Sequence, residues 1–208
     1  MDRRTSIKWV LAASAAWPLL GHRPARADAP AAPAGAEGYG TDPDLLAPYH
    51  PGMYWPLTLS APQRRLAGSL SDLIIPADEH SPSASSVGVV DFIDEWVSAP
   101  YPASQRDRPV VLGGFAWLDA EATRRFGKPF AHVPAAQQSA LCDEICDARR
   151  ADPARREAAH FFSAYRDLTA GGFYSSPAGR KDLNYVGNVP LEQFPAPPAE
   201  LLKKLGLA

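Results

Sequence analysis

The chain has 208 residues, 46% apolar and 21% charged, enough for one domain with a real core once a leader is set aside. Its charge is nearly balanced, with 21 basic and 23 acidic residues and no basic run, so a nucleic-acid binder is excluded as a reading. The 22 prolines gather at the two ends and in the loops, which predicts short elements joined by stiff, irregular connections.

Residues 1–27 read as an export signal. Arg3, Arg4 and Lys8 make a basic start, Trp9 to Leu20 is an apolar run, and Ala25-Arg26-Ala27 offers a small-x-small cleavage site. The run is shorter than the ~20 residues that span a bilayer, so cleavage is expected rather than a retained anchor. Arg3-Arg4 followed by Thr5-Ser6-Ile7-Lys8 resembles the twin-arginine pattern, the route for proteins folded before export. Ser6 departs from the usual Phe, and a general secretory signal beginning with two arginines is the alternative. Removing the leader leaves 16 basic against 22 acidic residues, a mildly acidic mature chain.

Residues 28–59 form an Ala/Pro-rich linker followed by an extended arm. Prolines 43, 48, 51 and 56 forbid regular structure there, while Tyr49, Tyr54 and Trp55 are costly to leave in water, so the arm should lie over the domain or over a partner. A helical domain is expected over 60–208. Its first helix runs from Ser60 to Ile75, with Ser60 and Gln63 at capping-box spacing and Leu66, Leu70, Leu73 and Ile74 on one face. Pro76 ends it.

A second helix runs from Val87 or Gly88 to Ser98. Val89, Phe92, Ile93, Trp96 and Val97 are its buried stripe, with Asp91, Asp94 and Glu95 outward. A third spans Pro109 to Phe126 and stops at Gly127; a fourth, Pro134 to Arg149, carries Leu141, Cys142, Ile145 and Cys146. A fifth starts after Asp152-Pro153 and ends at Gly171-Gly172. An irregular segment leads to Pro198, and a last short helix covers Ala199 to Leu205. The class is all-α: a compact bundle of about five helices with long irregular connections.

Candidate chemistry is sparse. Asp78, Glu79 and His80 are consecutive, whereas helical metal sites space their ligands at i and i+3 or i+4, so a solvated turn is the expectation. His50, His132 and His160 are isolated, and no metal site is assigned. Cys142 and Cys146 fall one helical turn apart. They are open to three readings: two reduced buried thiols, a local disulfide, or a bond to a partner. No flavin, nicotinamide, haem or phosphate-loop fingerprint appears, so the chain reads as non-catalytic alone and binds no cofactor of its own.

The run LIIPADEHSPSASSVGVVDFIDEW, the later FGKPF, and FFSAYRDLTAGGFYSSPAGRKDLNYVGN resemble the gluconate 2-dehydrogenase subunit 3 family, over about Ser60 to Asn188. The resemblance implies a small subunit of a periplasmic sugar dehydrogenase, carrying the twin-arginine signal for a partner. That partner is an FAD-dependent catalytic subunit of the glucose–methanol–choline type, and a multihaem cytochrome c often completes the assembly, with any membrane association made through partner subunits. It also implies engagement of the twin-arginine translocase and puts partner contact in Thr169 to Asn188, with Phe173, Tyr174, Tyr185 and Asn188 as anchors. The same loop folding back on its own helices is the alternative there. Arg180-Lys181-Asp182 after Gly179 departs from a Gly-Gly-Asn seen in some members, leaving the sugar open among gluconate, glucose, other aldoses and glycosides. A stand-alone exported helical domain is the competing reading of the whole chain.

Overall fold

The structure is a computed structural model and describes residues 49–207, apart from 148, 150, 186, 188, 189 and 191–195, together with Gly38 and Leu46. Among these residues there are seven α-helices and no strand. The helices are α1 (Ala61–Ile74), α2 (Val89–Ser98), α3 (Pro102–Phe126), α4 (Ala135–Asp143), α5 (Arg156–Ser175), α6 (Pro177–Asp182) and α7 (Ala199–Lys204). The all-α class and the five substantial helices are as the sequence predicts.

Helix α1 begins as its capping pattern requires: the Ser60 N–H and hydroxyl both donate to Gln63 Oε1, at 2.8 and 2.9 Å. The loop after Ile75 folds straight back onto α1. Asp72 takes the backbone N–H and the hydroxyl of Ser85, each at 2.7 Å, and Ala84 N–H donates to Ile75 O at 3.0 Å. Gly88, at φ +85°, makes the left-handed step from the 3-10 turn Ser85–Val87 into α2, a conformation that a side chain at Cβ disfavours.

Helix α3 starts seven residues before the predicted Pro109 and carries that proline inside it. An interior proline costs about 3 kcal/mol. The two turns ahead of it are held by bonds to the end of α2. Arg108, buried, donates from Nε to Val97 O and from Nη2 to Ser98 O (2.8 Å), and Gln105 Nε2 donates to Ala99 O. Burial pushes the Arg108 pKa down, but the carbonyls at the C-terminal end of α2 are natural acceptors for a cation.

Three further predicted boundaries move. Helix α4 stops at Asp143 rather than Arg149, and Glu144 beyond it is gripped by Arg125 of α3 (2.6 and 2.9 Å) and by Arg155. Arg124 and Arg125 also hold the Glu121 carboxyl down at about 2, and the four charges Glu121–Arg125–Glu144–Arg155 run in a chain from α3 to the stretch between α4 and α5. Helix α5 runs through Gly171-Gly172 to Ser175. Gly172 is a point of close approach, not a stop: a Cβ there would sit 2.8 Å from the Phe92 ring of α2. The segment expected to be irregular contains α6, begun by Ser176 Oγ accepting the Gly179 N–H at 3.1 Å. Helix α7 ends at Lys204, one residue short of the expectation.

Helix α5 packs along α3 and also touches α1 and α2, so its apolar face fills the centre. Phe115, Phe161 and Tyr165 meet there with ring centroids 5.5 to 5.9 Å apart. The Tyr165 hydroxyl, fully buried, donates to Ala67 O at 2.8 Å and shares a 3.0 Å bond with Ser71 Oγ, both on α1. Burial raises its pKa, keeping the phenol neutral and its polar atom paired.

Asp94 is the main correction to the predicted outward face of α2: it is 0% exposed. Its Oδ1 accepts the backbone N–H groups of Leu59 (2.9 Å) and Thr58 (3.1 Å), and its Oδ2 takes Arg64 Nη1 at 2.7 Å. Arg64 binds Asp91 as well. Residues 52–59 of the arm therefore lie on the chain's own domain. Trp55 is buried, with Nε1 donating to Glu95 O at 3.2 Å.

Two outcomes test these contacts. Replacing Asp94 with Ala strands two backbone donors and half of Arg64, so chemical denaturation should show a loss of about 3 kcal/mol, with altered Trp55 emission. A Cβ at Gly114 would lie 1.9 Å from the Phe161 ring, whereas one at Gly113 meets nothing within 4 Å. Gly114→Ala should thus destabilise by roughly 1–3 kcal/mol or more, and Gly113→Ala should stabilise by up to about 1 kcal/mol, read as opposite shifts in Tm.

Candidate functional site

The predicted anchors of the 169–188 segment separate in the structure. Phe173, 1% exposed, is a core residue of α5; Tyr174 packs edge-on against it at 5.1 Å and is 37% exposed; Tyr185 is 61% exposed. Asn188 lies outside the described residues, as do Arg3, Arg4, Lys8, Ala25 and Ala27 of the leader. The exposed large apolar side chains of this region are Tyr174, Leu183 and Tyr185, among exposed polar and charged residues that include Arg180, Lys181 and Asp182. Helix α6 is held close to α5 through Gly179, where a Cβ would come within 2.1 Å of Phe173 O.

Asp78, Glu79 and His80 form an exposed turn. Asp78 Oδ1 accepts the N–H groups of His80 and Ser81, each at 2.8 Å, and these bonds lower its pKa. His80 and Glu79 pair at 3.3 Å with both side chains in solvent. His50, His132 and His160 are exposed and separate. No group of three His, Cys, Asp or Glu residues able to hold a metal occurs among the described residues. No helix among them is long and apolar enough to cross a membrane.

Cys142 and Cys146 are both free thiols, but they do not share one buried helical face. Helix α4 ends at Asp143, and Ile145 N–H turns back to Cys142 O at 3.0 Å, which leaves Cys142 in the core and Cys146 exposed. Burial, with the Asp143 carboxylate adding to it, pushes the Cys142 thiol up to about 12. At neutral pH it is a neutral, unreactive group.

Several clefts open on the surface of the described residues, among them the following three. One of about 560 Å³ lies between α3 and α5, with Gly113 and Trp117 from α3 and Arg156, Glu157 and His160 from α5. Its lining residues include no serine or cysteine nucleophile, and its one histidine is exposed. The second, about 420 Å³, lies between the arm and the α2–α3 corner and is walled by aromatic rings. The third, about 300 Å³, sits beside the two cysteines. The arm contact and the aromatic cleft are features that helical periodicity does not reveal; the signal was the aromatic content of the arm itself.

In the native protein one thiol should react with a thiol reagent at neutral pH and the second only after denaturation. The labelled peptide should contain Cys146 modified and Cys142 intact by mass spectrometry.

The family described as Gluconate 2-dehydrogenase subunit 3 matches residues 61–193, more than half of the chain. Neither a curated protein nor a solved structure matches it. The matched residues run from the first residue of α1 through α6, and the arm precedes them. The name describes a subunit of a dehydrogenase complex, in keeping with an accessory role. This chain belongs to the gluconate 2-dehydrogenase subunit 3 family.

Proposed function

We propose that the protein is the non-catalytic small subunit of a periplasmic sugar or polyol dehydrogenase. It escorts and stabilises an FAD-dependent catalytic subunit of the glucose–methanol–choline type. The observation that carries this reading is the family match over residues 61–193, because a third subunit presupposes companions. In the complex the flavin belongs to the catalytic subunit, and a multihaem cytochrome c takes the electrons and holds the assembly at the membrane.

The leader supports the same reading. Arg3-Arg4 with Lys8 resembles a twin-arginine signal, which serves cargo that must fold before export. A flavoprotein loaded with its cofactor in the cytoplasm is such a cargo, and a small subunit bearing the signal for both would carry it through the twin-arginine translocase. The exposed side chains of Tyr174, Leu183 and Tyr185 and the aromatic cleft beside the arm supply surface for a stable partner.

A tagged full-length chain recovered from its own periplasm should bring down a larger flavoprotein, visible as a flavin spectrum in the eluate. Replacing Arg3 and Arg4 with Lys together should hold both proteins in the cytoplasm. A lone, colourless chain that still reaches the periplasm would overturn the escort reading.

A further inference from the structure

The cleft of about 560 Å³ between α3 and α5 falls within the usual size range of ligand sites. The two helices touch through Gly114 and Phe161, both buried, where a Cβ on the glycine would meet the ring at 1.9 Å. One residue away the contact opens: Gly113 is exposed, and a Cβ there meets nothing within 4 Å. The two helices line the cleft with different chemistry. From α3 come Val110, Gly113 and Trp117, which are apolar or bare backbone. From α5 come Arg156, Glu157 and His160, all three exposed.

The polar groups of this lining are unspent. Among the described residues, the side chains of Arg156, Glu157 and His160 make no hydrogen bond and no ion pair, and the partly exposed Trp117 indole makes no hydrogen bond. Side chains of the same types elsewhere are held. Trp96 donates to Asp107 Oδ2 at 2.8 Å, and Arg64, Arg125 and Arg155 bind carboxylates. Arg156 is also the only unpaired arginine lining these three clefts, because Arg166 in the third is paired with Asp167 at 3.0 Å.

The mixed set favours one kind of ligand. A guanidinium carries five donors, an indole one, a neutral imidazole one donor and one acceptor, and a carboxylate accepts only. An anion drawn to Arg156 brings a like charge near Glu157, and a cation drawn to Glu157 brings one near Arg156. A neutral compound meets neither penalty. Hydroxyl groups both donate and accept, so they can bond to every member of the set. A carbon skeleton with C–H surface and a rim of hydroxyls also matches a lining that is apolar from one helix and polar from the other.

We infer that the α3–α5 cleft binds a neutral polyhydroxylated compound, a sugar or polyol. Arg156, Glu157 and His160 bond to its hydroxyls, and Val110 and Trp117 face its carbon skeleton. The inference comes from the lining of the cleft alone and does not depend on the escort reading.

Saturation-transfer NMR on the full chain tests it, with D-glucose, D-galactose and D-mannose as probes. At least one should bind saturably with a roughly millimolar Kd. The amino sugar and the uronic acid of that same sugar, which add a positive or a negative charge, should bind more weakly. Gly113→Leu builds a side chain into the open space of the cleft and should weaken the binding roughly tenfold. Arg156→Ala, at an exposed position, is the second variant and should weaken it several-fold, with Tm checked for each. Saturation by none of the three sugars, tighter binding of a charged counterpart, or unchanged binding in the folded variants overturns the inference. Saturation by a neutral peptide, N-acetyl-alanine methylamide, in place of the sugars also overturns it and makes the cleft a groove for a protein chain. Whether a flavoprotein co-purifies is a separate result, so the escort reading and this one can fail independently.

Discussion

The buried carboxylate of Asp94 is the point at which the arm, the start of α1 and α2 are tied together. A buried carboxylate is tolerated only when its acceptor sites are filled, and here they are filled by two arm N–H groups and by Arg64 of α1. One side chain of α2 thus fixes the arm, the start of α1 and the α2 face. The arm in turn shields the carboxylate from water, so each part justifies the other. The aromatic cleft is a by-product of this arrangement, because its outer wall exists only while Trp55 stays pinned above Glu95.

The second organising contact is the corner between α2 and α3. The last carbonyls of α2 would be orphans at a helix end. Arg108 and Gln105 reach back to them from the next helix, and in doing so they keep two helical turns in place ahead of Pro109. Charge is used here and in the Glu121–Arg125–Glu144–Arg155 chain to set where helices begin and end, while the ring cluster of Phe115, Phe161 and Tyr165 supplies the apolar mass.

The sequence makes the helices with a clean apolar stripe legible: α1 buries Leu66 and Leu70 and α2 buries Val89, Ile93 and Val97 as predicted, while Phe92 and Trp96 are only partly buried. It misleads where a residue type has two uses. Pro109 reads as a first-turn proline, but the preceding turns are held by tertiary bonds that no local pattern encodes. Gly171-Gly172 reads as a terminator, but Gly172 is needed because Phe92 occupies the space of a side chain. Asp94 lies about 100° around the helix from Ile93 and so plots as an outward residue; only the arm folding over that side buries it. Phe173 follows from the glycine reading, since a helix that continues through them carries it into the core. The aromatic cleft joins residues from three separate segments, which periodicity within one segment cannot assemble.

Helix α5 has a consequence for the order in which the fold is made. It contributes Phe161, Tyr165 and Phe173 to the centre, and it enters the sequence only after α1 to α4 are complete. During synthesis the first four helices therefore emerge with their shared apolar faces uncovered, and the interior closes only once the chain has been made almost to Ser175. Residues 1–27, by contrast, are outside the ribosome early in synthesis. Between those two moments lies a long interval in which the nascent chain is exposed but not folded, and a chaperone that masks apolar helices has its natural window there.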